Sequence, residues 1–234
     1  MFAIRKPMMT EQLTGTCLYF GTFNPIHTGH LMIAQAALHQ YGPVLGFQTV
    51  TFVPAGHPPH RQGEDDLLDA RRRLLMVQLA IAEHPDFRVS ELELTLASQS
   101  DQAVYTVDTV RALQAQGLVP EPAPFIIGAD ALQGLSTWRD PDALLQRLHF
   151  LQAPRPNCVP VEALQFNGSA EPLPLRTSIL NMPMLALSST WIRQVVREQG
   201  GKTEGLRYFL PEPVRQFIRE NGLYTLPEAS HRAT

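Results

Sequence analysis

Two histidines three residues apart, His27 and His30, stand in the string GTFNPIHTGHL at residues 21–31, directly after the apolar run TCLYF. Imidazoles can donate hydrogen bonds to phosphate oxygens. The start of a helix offers free N–H groups and the positive end of its dipole to the same anion. Gly21 lets the chain turn off a strand and bring its backbone close to a ligand. A histidine pair at this spacing also caps helices or ligates metals, and HxxH alone is a weak signal. The whole string after an apolar strand is far more specific.

Four further places carry side chains suited to chemistry. Asp130 follows FIIG (125–128), where a carboxylate accepts hydrogen bonds from a ribose or simply caps the next helix. Ser188, Ser189 and Thr190 open the string SSTWIR, as caps or as ligand contacts. Arg193, one turn further, is either a solvated charge or a planar fork for phosphate. Trp138 and Arg139 lie in a loop, where a tryptophan covers the core or stacks on a ligand. His60, in PAGHPPHR, either touches a ligand or is solvated, and the role of His57 stays open.

The elements that must position these residues alternate in kind. TCLYF (16–20) and VTFVP (50–54) read as buried strands, as do FIIG, HFLQA (149–153), RTSILNM (176–182) and FRVSELEL (87–94). Helical spacing places Leu31, Ala34, Leu38 and Tyr41 on one face, and Leu67, Leu74, Val77 and Ile81 on another over 67–82. Residues 106–116 predict a helix closed by Gly117, and two more follow Ser189 and Pro211. The stretches 119–124 and 154–160 read as proline-rich loops. Apolar strands alternating with helices predict a Rossmann-like, doubly wound parallel α/β sheet with helices on both faces and a small helical C-terminal part. Ligands of such sheets bind beyond the carboxyl ends of the strands, where the residues above fall. We expect a flexible leader over 1–15, one domain over 16–226 with its helical part from 187, and a tail over 227–234.

The 234 residues are 44% hydrophobic and carry a formal charge of −3, which argues against a broad nucleic-acid surface. No run of about 18 apolar residues offers a membrane span. The two cysteines form no CxxC, and the start has no apolar signal region. We expect small buried thiols in a cytoplasmic protein.

The pattern GxFxPxHxGH is the signature of the HxGH nucleotidyltransferases, and the chain resembles the nicotinate-nucleotide adenylyltransferases over about residues 16–226. PAGHPPHR, IIGAD, Thr137-Trp138, LSSTWIR and LPEPVRQFIRENGLY match that family's motifs in order. The resemblance implies transfer of AMP from ATP to nicotinate mononucleotide. It makes His27, His30 and Arg193 catalytic. It places ATP against Gly21, Thr22, Phe23, Gly128, Asp130, Ser188, Ser189 and Thr190 as well. It assigns the mononucleotide to Asn24, His60, Thr106, Trp138 and Arg139, with the indole stacked on the pyridine. It also implies Mg²⁺ carried in on ATP, no resident metal, and no nucleic-acid or membrane partner; homo-oligomerisation is left open. Three positions depart from the family pattern. Phe20 replaces a glycine and narrows the turn, Asn24 replaces an aspartate near the phosphates, and Asn157 follows Arg155-Pro156 where a glycine is usual. The alternatives are a related enzyme acting on nicotinamide mononucleotide or phosphopantetheine, and a silent nucleotide-binding protein.

Overall fold

The structure is a computed structural model that describes residues 15–58, 66–99, 103–164, 173–184 and 186–225. The elements run β1 (Thr16–Gly21), α1 (Thr28–Leu45), β2 (Thr49–Pro54), α2 (Ala70–Ile81), β3 (Phe87–Val89), α3 (Leu92–Gln99), α4 (Thr106–Ala115) and β4 (Ala123–Gly128). There follow α5 (Ala129–Gln133), α6 (Pro141–Arg147), β5 (Leu148–Ala153), β6 (Ala163–Leu164), β7 (Leu173–Pro174), β8 (Thr177–Ile179), α7 (Ser189–Glu198) and α8 (Glu212–Glu220). Single 3₁₀ turns lie at Leu135–Thr137 and Glu204–Leu206.

Six strands form one sheet in the order β3-β2-β1-β4-β5-β8, and every neighbouring pair is parallel. The sheet grows outward from β1 in one direction and from β4 in the other. The boundary between β1 and β4 is therefore the topological switch point, where a crevice opens at the carboxyl ends. Parallel strands need crossovers, and each crossover helix returns against the strands. The N-termini of α1, α4 and α7 consequently gather at that same edge.

Side chains alternate across each strand and divide the core in two. Cys17 and Tyr19 of β1, Phe52 of β2 and Ile126 of β4 pack against Ile33 and Ala37 of α1, Val77 of α2, Ile192 of α7 and Ile218 of α8. Leu18, Val53, Phe125 and Phe150 face the other way, against Val107, Val110 and Leu113 of α4 and Leu144 of α6. The doubly wound expectation holds, and the C-terminal helices belong to the first of these layers. No helix among the described residues is long and apolar enough to cross a membrane. Both cysteines are free, Cys17 buried and Cys158 half-buried.

Several boundaries differ from the sequence reading. FRVSELEL is not one strand: β3 stops at Val89, the Ser90 hydroxyl accepts from the Leu92 N–H, and α3 begins. The alternation of Leu92, Leu94 and Leu96 with polar residues imitates a strand, but the capping serine breaks it. Helix α2 starts at Ala70, where Asp69 accepts from the Arg72 N–H at 2.9 Å, and Leu67 precedes it. The strand expected over 176–182 shortens to β8, and β4 takes Ala123 and Pro124 from a stretch read as loop. Gly117 does follow α4 in the left-handed region, with φ at 66°. Residues 1–14 of the expected leader and the tail from 227 lie outside the described residues.

Candidate active site

The turn after β1 is built around buried rings. Phe23, 2% exposed and with φ at 49°, drops its ring beside Gly21, where an added Cβ would lie 2.8 Å from it. An aromatic residue held at positive φ is strained and persists only where its surroundings fix it. The ring also meets His30 edge-on at 5.1 Å and Tyr19 at 5.7 Å, so the Phe23 side chain supports the imidazole from beneath.

His27 and His30 stack with ring centroids 3.8 Å apart at the N-terminus of α1. The His27 N–H donates to His30 Nδ1 at 3.2 Å. In the neutral ring this puts the His30 proton on Nε2, as an outward donor. Among the described residues His27 Nδ1 is buried with no hydrogen-bond partner. Gly29 makes the stack possible, since a Cβ there would lie 3.0 Å from that nitrogen. Burial, aided by the Arg155 charge, lowers His27 to about 3; burial, His27 and Arg155 hold His30 well below the usual range. Both imidazoles are therefore neutral in the free protein.

Gly128 ends β4 beside them, and Asp130 stands in the first turn of α5. Asp130 Oδ1 is 3.7 Å from Arg155 Nε, too far for a hydrogen bond. Ser188 caps α7 by accepting from the Trp191 N–H, and the Ser189 hydroxyl donates to the Pro25 carbonyl at 2.8 Å. Thr190 is exposed, and Thr22 gives its carbonyl to Arg73 at 2.8 Å.

Two residues assigned to ligands from the sequence are turned into the protein. Asn24 is fully buried: its amide donates to the Asp66 carbonyl, and its Oδ1 accepts from the Leu68 N–H and the Tyr224 hydroxyl. Arg193 is 3% exposed, its Nε on Asp66 Oδ2 at 2.7 Å and its Nη1 on the Asn24 carbonyl at 2.9 Å. Arg197 reaches the same carboxylate at 3.1 Å. Burial opposes the Asp66 charge, but the two guanidiniums outweigh it and hold the carboxyl below its ordinary range. In this arrangement Arg193 braces the loop that carries His27 instead of opening toward it.

On the opposite face of the sheet, Thr106 opens α4, whose first N–H groups have no partner within the helix. Trp138 packs on the second core layer together with Tyr105 and Phe20. The Arg139 guanidinium lies 4.7 Å from the centre of the Tyr105 ring. Phe20 lies tilted against Phe125 at 5.2 Å and pairs with Val53 inside the sheet, so it belongs to β1 and not to the turn. His57 is exposed, and His60 lies outside the described residues.

A buried ionic cluster carries the loops from below. Arg73, 1% exposed, donates to the carbonyls of Thr22, Ala55 and Leu68. Glu93, 4% exposed, accepts from the Gly56 N–H and the Thr109 hydroxyl, both at 3.2 Å. Burial pushes the Glu93 carboxyl up to about 7, against those hydrogen bonds and the Arg73 charge. The native state thus holds this proton more tightly than the unfolded chain, whose glutamates titrate near 4.5. Its contribution to stability is full below about pH 4.5 and fades as pH rises to about 7. Glu93→Gln is expected to remove a decline of up to about 3 kcal/mol over that window. Urea unfolding at several pH values checks it, and curves that stay parallel for variant and wild type would contradict it.

Residues 18–195 match the cytidylyltransferase-like family model. A curated relative from Symbiobacterium thermophilum, named a probable nicotinate-nucleotide adenylyltransferase, is 39% identical over 89% of this chain and 94% of its own. Another of that name from Moorella thermoacetica is 38% identical over 87% of this chain and 88% of its own. The chain belongs to the nicotinate-nucleotide adenylyltransferase family. A solved structure of Plasmodium falciparum nicotinic acid mononucleotide adenylyltransferase complexed with NaAD shares the fold, with a TM-score of 0.67 at 16% identity over 89% of this chain and 96% of that one.

Set against that family's pattern, the three departures find places. Phe20 joins the aromatic core, Asn24 knots the loop to residues 66–68, and Asn157 adopts the left-handed conformation a glycine would, with φ at 61°. Arg155, Tyr105, Asp66 and Glu93 join or support this arrangement without belonging to the candidate site residues above. Arg155 had a signal, its place just after an apolar strand; the other three are brought in by tertiary contacts alone.

Proposed function

We propose that this protein transfers the adenylyl group of ATP to nicotinate mononucleotide, forming nicotinate adenine dinucleotide and pyrophosphate. The observation that carries the reading is the stacked His27–His30 pair at the N-terminus of α1, set at the β1–β4 switch point of a chain from this family. ATP phosphates would lie on the α1 side, and the mononucleotide on the α4 side against Thr106, Trp138 and Arg139.

The mononucleotide phosphate has a second pKa of about 6, so it is largely dianionic at neutral pH and needs no general base. One of its oxygens forms a bond to the α-phosphorus of ATP. The bond from that phosphorus to the bridging oxygen breaks, and its electron pair leaves with pyrophosphate. In-line placement can lower such a barrier by roughly 7–11 kcal/mol. His30 Nε2–H, His27 and the α1 N–H groups donate to oxygens whose charge grows in the transition state. Among the described residues no cluster of three or more His, Cys, Asp or Glu could hold a cation. Magnesium would arrive on ATP and would there offset the charge of the leaving pyrophosphate.

With ATP, Mg²⁺ and nicotinate mononucleotide, the protein is expected to release pyrophosphate and dinucleotide in equal amounts. Bound ATP without either product would overturn the reading in favour of a silent binding protein.

A further inference from the structure

We infer that Arg155 is a further catalytic residue, a phosphate grip that Asp130 holds loosely in the free protein and gives up to ATP. The inference deepens the adenylyl-transfer reading and rests on it. Among the described residues, two buried side-chain polar atoms lack a hydrogen-bond partner: His27 Nδ1 and Arg155 Nε. Buried polar groups are nearly always paired, so two orphans at one place mark a site built for something polar. Both lie at the carboxyl edge of the sheet. Arg155 follows β5, next to β4, and lines a small cleft with Gly29, Ile33 and Leu187, beside the first turn of α1.

The charge balance points the same way. Among the described residues Arg155 has one acidic neighbour, Asp130, at 3.7 Å, and Asp130 is itself 59% exposed. Two neutral imidazoles and a weakly paired guanidinium leave the site with excess positive potential and several unused donors. A ligand carrying several negative oxygens accepts from these donors and balances the guanidinium charge together, whereas a neutral ligand leaves that charge uncompensated. Arginine suits this place because its planar fork can hold two oxygens of one phosphate while Nε stays in the plane. Once the guanidinium moves to phosphate, the Asp130 carboxylate is free to accept from a ribose hydroxyl.

A residue with an unmet buried donor costs stability in the free protein, so its removal separates function from folding. Arg155→Met is expected to lose on the order of 10²–10³-fold in kcat/KM for ATP, with an unfolding temperature equal to or above wild type. Arg155→Lys should recover part of that loss, since it restores the charge without the fork. Arg155→Gln should also raise the His27 pKa in an NMR titration, because a positive neighbour has been removed. The proposal is overturned if Arg155→Met keeps kcat/KM within about threefold, or if its activity and unfolding temperature fall together. Wild-type protein with no turnover would instead sink the adenylyl-transfer reading, and the His27 titration would then report alone on whether Arg155 faces the pair.

Discussion

His30→Ala is expected to lower kcat by roughly 10²–10³-fold, the usual effect of losing one aimed donor at a developing oxyanion. The geometry behind this is specific. His30 Nδ1 is occupied by the His27 N–H, so the proton on Nε2 is the one available to a substrate. The ring is held by the His27 stack on one side and the Phe23 edge at 5.1 Å beneath, and it loses little freedom on reaction. Because both imidazoles start neutral, they would act on a phosphate as donors of hydrogen bonds and not as fixed cations. His27→Ala should cost a similar factor, and the double variant less than the product, since on this proposal both serve the same phosphates. Pyrophosphate release at saturating substrates measures the loss, with unfolding temperature as the control. A His30→Ala protein that turns over at near-wild-type rate would remove the pair from the mechanism.

The second large effect is on folding. Arg193→Met is expected to destabilise the protein by about 3 kcal/mol, the low end for breaking a buried ion pair because Asp66 is 26% exposed. The loss takes the guanidinium from the Asn24 carbonyl and leaves Asp66, among the described residues, with Arg197. Asp66→Asn should cost a comparable amount by leaving the Arg193 guanidinium buried without its counter-ion. Urea denaturation reads both. Full stability with activity lost by orders of magnitude would return Arg193 to the phosphate-facing role that LSSTWIR implies in the family.

What could be read from the sequence was whatever is local in the chain. His27 and His30 are three residues apart, and the strand before them and the helix after them are each continuous in the sequence. Their juxtaposition at a helix N-terminus therefore needed no tertiary knowledge. The parallel sheet followed from near-continuous apolar strands for the same reason. The Arg193–Asp66 pair spans 127 residues and the Asn24–Tyr224 hydrogen bond 200. Nothing in either string announces its partner. LELTL alternates like a strand although it forms α3, and the cue against a strand is one serine hydroxyl. The start of α6 is written locally as well, in Asp140-Pro141, a capping residue followed by a first-turn proline.

The central claim is the identity of the two substrates, and the side-by-side acceptor assay tests it most directly. Pyrophosphate release with ATP and Mg²⁺ is compared for nicotinate mononucleotide, nicotinamide mononucleotide and phosphopantetheine. The account predicts strong preference for the nicotinate acceptor, with the dinucleotide formed in step. Equal or greater turnover with another acceptor, or none with any while ATP binds, would contradict it.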